Sequence, residues 1–193
     1  MKVIMRADDL GFCEAVNYGI IKSIKDGLIT TVGLMPNMGS SSKHGAELMQ
    51  SYPRICLGQH TNICLGVPVS DPKLVPSLVD ENGEFLTSKV YRNSKEDFIN
   101  YNEVKLEVEA QLNKFIELTG KKPYYLEGHA IMSKKFFKAL EEVAKKHDIL
   151  YIPIHVSSIR GTYIKQCNFP KVVIMMSLII LRMRLKEFKT MKY

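Results

Sequence analysis

The sequence predicts an α/β fold, a parallel sheet with helices that is either open or closed into a barrel. Two observations carry this. Short apolar runs alternate along the chain with stretches of helical spacing, in the order β-α-β-α-β-loop-α-β-α-β. The chain has 193 residues, 46% hydrophobic and 24% charged, enough for one sizeable domain with its own core.

The elements follow in order. Val3 to Met5 is a short buried-strand pattern that runs into Asp8, Asp9 and Gly11. Val16, Ile20 and Ile24 lie four apart on a helix opening near Glu14 and stopped at Asp26-Gly27. Ile29 to Met35 is β-branched and apolar, a second strand halted by Pro36-Asn37, and Ser41 to Gln50 is a short helix. Ile55 to Gly58 is a third strand, with His60 just past its end. Leu65 to Lys89 is rich in Pro, Gly, Ser and Asp without a steady period, a length of loop that suits a functional cover such as a lid.

Ser94 to Asp97 has the form of a capping box opening a long helix, with Val104, Val108, Leu112 and Phe115 on its apolar face and Gly120 at its end. Pro123 to Leu126 is a short strand, followed by His129. Ser133 caps a helix carrying Phe136, Phe137, Leu140 and Val143, and Ile149 to Ile154 is a further strand.

The net charge of +7 does not mark a nucleic-acid binder. From Lys171 onward there are six basic residues and one acidic, so residues 1 to 170 carry 21 basic against 19 acidic, a balance of only +2. The body is therefore near neutral, and no basic stripe interleaved with aromatics appears in it. Cys13, Cys56, Cys64 and Cys167 show no CxxC spacing, and the N-terminus lacks the form of a secretion signal, which together predict reduced thiols in a cytoplasmic protein.

In parallel α/β sheets, ligands bind at the carboxyl ends of the strands. Asp8 and Asp9 follow strand one, His60 strand three and His129 the next, so four capable groups share one edge. Adjacent carboxylates repel unless a cation takes one of them. One Asp with two imidazoles is a facial set for a divalent metal, and the other Asp is then free to act as general base toward a bound water. A helix cap or turn is the plainer use of an Asp-Asp pair. His44 and His147 fall in helices beside lysines and read as solvated, while His155 lies at a strand end.

Three segments together resemble the YdjC-like carbohydrate deacetylases, the family of chitooligosaccharide deacetylases. ADDLGFCEAVNYGI (7–20) is similar to the family's NADDFG and the NxGI helix after it. LGQHTNI (57–63) is similar to LGxHxxL, and GKKPYYLEGHA (120–130) to GxxPTHxDSHxH. The resemblance spans about residues 1 to 155. It implies a (β/α) barrel-like fold and a metal-dependent hydrolase that removes acetyl groups from N-acetylated sugars or oligosaccharides. It also implies that Asp9, His60 and His129 hold the metal and that Asp8 is the base. Magnesium is the metal implied by the family, with zinc or another transition metal as the alternative, because two imidazoles are an unusual ligand set for a hard cation.

Several positions depart from the family pattern. Arg6 stands where the family has Asn, Glu127-Gly128 where it has Asp-Ser, and Ala130-Ile131 where the second His of HxH would fall. The family's late His-Pro-Gly-like motif, implied to assist the leaving group, has no counterpart, and His155 is the first residue to examine in its place. These features divide the chain into a deacetylase-like domain, 1–170, and an atypical tail, 171–193, and predict C-terminal truncation.

Val172 to Leu181 is apolar but for one Ser, too short to span a bilayer. It reads as a membrane-surface helix, a core helix or an out-of-frame remnant. Five strands precede residue 155, and the 38 residues after it have room for one more strand and a helix at most, so the barrel should be incomplete, with a homo-oligomer as one way to cover the gap. The runner-up function is a remnant that binds metal or sugar without turnover. A glycosidase is disfavoured because its two carboxylates sit about 5 to 10 Å apart on different elements.

Overall fold

The computed structural model describes residues 2–153 and the strand segments 156–159, 162–166 and 172–176, with side chains described for 4–153. Five parallel strands appear in chain order, β1 (Lys2–Leu10), β2 (Thr31–Leu34), β3 (Cys56–Thr61), β4 (Tyr125–Gly128) and β5 (Leu150–Tyr151). The connecting helices are α1 (Glu14–Asp26), α2 (Ser40–Met49), α3 (Ser88–Asn93), α4 (Tyr101–Thr119) and α5 (Lys134–Lys146). Among these five, each strand lies beside its predecessor, so their order does not reverse. That is the sequential winding of a β/α barrel and not the switch-point winding of a doubly wound sheet. Helix α1 packs on α2, α2 on α4 and α4 on α5, one continuous helical layer.

Three more strands extend the sheet on the other side of β1. These are β6 (Val156–Ile159), β7 (Thr162–Gln166) and β8 (Val172–Met176), giving the order β5-β4-β3-β2-β1-β8-β7-β6. β8 runs parallel to β1, with Lys2 opposite Val172 and Arg6 opposite Met176, while β7 is antiparallel to both its neighbours. This corrects two expectations. The apolar run from Val172 is strand and not helix over its described part, to Met176, where β-branched Val and Ile suit a ladder beside β1. The residues after 155 supply three strands, not one. Among the described residues β5 and β6 are the outer strands and do not pair with each other.

Other boundaries differ locally. The long helix opens at Tyr101, where Asn100 Oδ1 accepts from the Asn102 N–H at 2.9 Å, and Ser94 instead closes α3. Ser133 caps α5 as its sequence suggests, accepting from the Phe136 N–H at 3.0 Å. No helix among the described residues is long and apolar enough to cross a membrane.

Period-two alternation sorts the strand residues onto two faces. Ala7, Val32, Leu34, Leu57 and Leu126 face the helices and join their apolar side chains in the core. Arg6, Asp8, Thr31, His60, Tyr125 and Glu127 share the other face. Its lower half borders a cavity of about 440 Å³, lined by Ile4, Arg6, Cys56, Tyr125 and Ile152 among others. The loop after β3 is not a loose lid. Its Val75, Leu78 and Phe85 are buried in the core, and a buried polar set fastens its base. Glu107 accepts from the Val69 and Ser70 N–H groups, each at 2.9 Å, and Gln111 exchanges hydrogen bonds with the backbone of Asn62.

Candidate metal centre

Adjacent residues of a regular strand face opposite sides, so Asp8 and Asp9 could not both reach one site from an undisturbed β1. The ladder resolves this. Ala7 pairs with Val32 and Leu10 with Leu34, so three steps along β1 match two along β2. The extra residue is a β-bulge, which re-aims side chains at functional edges. Asp9 takes the left-handed conformation (φ 69°) that usually falls to glycine in such a bulge. Leu10 is thereby returned to the helix side, fully buried, while both carboxylates lie at the inner edge. The Asp pair thus lies within β1, not after it. Asn17, buried on α1, secures the following turn by accepting the Gly11 N–H at 2.6 Å and donating to Ser41 O at 2.9 Å.

His60 comes from the inner face of β3 and His129 from the residue after β4, where Ala130 (φ 54°) turns the chain away. Asp9 Oδ1 lies 3.2 Å from His60 Nε2 and 3.1 Å from His129 Nδ1, and the two ring nitrogens are 3.0 Å apart. All three residues expected to hold metal therefore meet at one point. A cation with bonds of about 2.0–2.2 Å and ligands at right angles needs ligand atoms about 3 Å apart. The donor set fits such an ion. His60 Nδ1 faces Glu127 Oε1 at 3.2 Å, so in the neutral ring the Nε2 lone pair is turned toward Asp9. A carboxylate behind the far nitrogen of an imidazole is the usual support for a metal-binding histidine.

Without an ion the same atoms must be held by protons. Burial alone would push the His60 imidazolium down. The charge of Glu127, then Asp8, and hydrogen bonds to Asp9 and Glu127 more than offset it and raise the ring to about 9. Burial likewise opposes the charge on His129, but its bonds to Asp9 and to the Cys64 thiol raise it. For Asp9, burial pulls upward, but the bonds from His129 and His60 hold its carboxyl well below the usual carboxylate range.

Asp8 takes a different position. Its side chain is only 8% exposed against 40% for Asp9, and it faces Arg6, whose Nε lies 2.6 Å from Oδ1 and whose Nη2 donates to Oδ2 at 3.1 Å. The same Nη2 is 2.6 Å from Glu127 Oε2. Arg6 and Glu127, read from the sequence only as departures from a motif, are therefore partners. Two histidines differ from the sequence reading. His44 is half-buried, bonded to Asn17 Nδ2 at 3.1 Å and edge-on to Tyr18, and His147 lies 2.7 Å from Glu109 Oε2. The side chain of His155 lies outside the described residues.

The family model described as YdjC-like protein matches residues 2–190. The chain belongs to the YdjC-like family. The match runs beyond the three motifs and into the 171–193 tail. A carbohydrate deacetylase of Halalkalibacterium halodurans is 31% identical over 77% of this chain and 62% of its own length. Carbohydrate deacetylase 2 of Listeria innocua is 35% identical over 76% and 56%. A chitooligosaccharide deacetylase of Yersinia pestis is 32% identical over 66% and 48%. The chain thus spans about half to three-fifths of the length of these curated relatives. A crystal structure from Enterococcus faecalis, of a protein to which cellobiose-phosphate cleavage has been assigned only provisionally, superposes with a TM-score of 0.70 at 28% identity, over 77% of this chain and 57% of that one.

Proposed function

We propose that this YdjC-like chain hydrolyses the acetamide of N-acetylated sugars or their oligosaccharides at a centre where Asp9, His60 and His129 hold a divalent metal. The mutual spacing of 3.0 to 3.2 Å among their three donor atoms carries this reading. The names of the curated relatives support the substrate class. A bound divalent ion supplies Lewis acidity toward the acetyl carbonyl and acidifies its water. Asp8 is the base in this reading, taking the proton as the water oxygen bonds to the acetyl carbon. The C–N bond then breaks, acetate leaves and the proton ends on the sugar amine. Two imidazoles favour zinc or another transition ion, and magnesium is the harder alternative. Free Cys13, Cys56 and Cys64 support work in a reducing compartment such as the cytoplasm.

One observation favours a second reading, metal or sugar binding without turnover: both oxygens of Asp8 face the Arg6 guanidinium. Acetate release from N,N′-diacetylchitobiose, with zinc or magnesium added to metal-stripped protein, separates the two. Under the first reading Asp8→Asn leaves metal content near normal and lowers hydrolysis by about 10²- to 10⁴-fold, the usual worth of a positioned base. Asp9→Asn, which tolerates the left-handed backbone, abolishes metal binding and hydrolysis together while the chain stays folded. Metal uptake with no acetate released under any of these conditions selects the second reading.

A further inference from the structure

Arg6 sits on β1 and Glu127 on β4, with β2 and β3 between them. They meet across the inner face because Gly33 leaves the intervening space open. A Cβ there would come within 3.3 Å of Glu127 Oε1 and 3.0 Å of His60 Cβ. The Arg6 side chain is fully buried, and its guanidinium contacts two carboxylates that have separate duties. One is Asp8; the other is Glu127, whose second oxygen stands behind His60. A continuous chain of contacts therefore runs Asp8–Arg6–Glu127–His60 and ends at the metal-facing nitrogen. Arginine suits this place because its planar fork presents several N–H groups in fixed directions, whereas lysine offers one point of charge. Burial makes the arrangement strict, since a buried carboxylate that loses its cation is left without compensation.

The geometry points to Arg6 as a positioning residue for the metal centre. It acts through Glu127 to hold the His60 ring in the orientation and tautomer that metal binding requires, while the same side chain tethers Asp8. This rests on the proposed metal centre but not on turnover, so its test reads the metal and not acetate.

Metal-stripped protein is titrated with Co²⁺, and affinity and the visible absorption bands, which report ligand arrangement, are compared among the parent, R6Q, E127Q and R6Q/E127Q, each checked for folding by circular dichroism. Each single variant is expected to bind about 10- to 100-fold more weakly, the usual loss when an outer partner of a metal-binding histidine is removed, with displaced bands. The double variant is expected to be no worse than the weaker single, because both changes cut one path. Parent-like affinity and bands in R6Q overturn the inference, as do losses that multiply in the double. If R6Q does not fold, R6K and R6K/E127Q take its place in the same cycle with the same criteria. A parent chain that takes up no Co²⁺ overturns the metal-centre reading itself, and this one with it.

Discussion

On the helix side of the sheet Ala7, Val32, Leu34, Leu57 and Leu126 are at most 4% exposed and pack among apolar neighbours. On the inner side, at the same depth in the same strands, Arg6, His60, Tyr125 and Glu127 are also at most 3% exposed, yet each carries a polar or charged group. Equal burial therefore rests on different physics. The helix side is stabilised by removing apolar surface from water, which is non-directional and tolerates repacking. At the upper end of the inner side, Arg6, Asp8, Glu127 and His60 carry charges that are tolerable because each faces another. Substitutions on the two faces should separate stability from metal binding.

The largest expected effect is on the helix side. Phe115 of α4 is fully buried in the core that Ala7, Leu10, Val32, Leu34 and Leu57 share on the helix side of the sheet. Phe115→Ala should lower unfolding free energy by about 3–5 kcal/mol through lost burial and a cavity. Co²⁺ affinity of the fraction that remains folded should not change. A denaturant titration alongside a metal titration measures both. A parallel fall in intrinsic metal affinity would show that the two faces are not separable.

Next in size is a pH dependence confined to the inner face. The His60 imidazole is raised from 6.5 to about 9 in the metal-free protein. The folded state then holds more protons than the unfolded one between those values. Its contribution to stability is fully present below pH 6.5 and is lost as pH rises through about 9, up to about 3 kcal/mol for a shift of this size. Metal binding must displace that proton, so affinity should rise over the same window. Unfolding midpoints at pH 6, 7.5 and 9, with chelator and with saturating metal, test the sign. A metal-free protein that becomes more stable toward pH 9 would contradict the assigned environment of His60.

The two faces were also unequally legible in the sequence. The helix side follows from periodicity. The spacing of Val104, Val108, Leu112 and Phe115, or of Phe136, Leu140 and Val143, states which face is buried, and the structure agrees. The placement of Asp8, Asp9, His60 and His129 near strand ends was legible too, because parallel connectivity brings those ends to one edge. The bulge was not, since no local residue announces it: its left-handed position holds Asp and not Gly. Glu107 and Gln111 did carry a signal, as polar residues on the same face of α4 as Val104 and Val108, and that signal marks the anchored loop. The Arg6–Glu127 pair joins residues 121 positions apart, which only the folded sheet brings together. The strand at Val172 was hidden because a ten-residue apolar run fits a helix or a strand equally well, and only its neighbour β1 decides between them.

The smallest effect expected is also the most local. Gly33 lies on the inner face of β2, and a methyl group there would stand 3.0 Å from His60 Cβ and 3.3 Å from Glu127 Oε1. Its backbone is ordinary strand, so Gly33→Ala brings no penalty of conformation and in the unfolded chain removes freedom, which by itself favours folding by about 0.4–1 kcal/mol. Against that stands the overpacking of a tight site, about 1–3 kcal/mol. The net change in stability should be small, about 1 kcal/mol of destabilisation. The methyl group can be accommodated only by moving His60 or Glu127 a few tenths of an ångström. On the helix side, where contacts are non-directional, such a displacement would have little consequence. Here it would shift His60, one of the three proposed donors, or the Glu127 carboxylate behind it, so Co²⁺ affinity should fall several-fold and the absorption bands should move. Unchanged bands with the same loss of stability would mean that the inner face adjusts as freely as the outer one, and that its charges are less constrained than their distances imply.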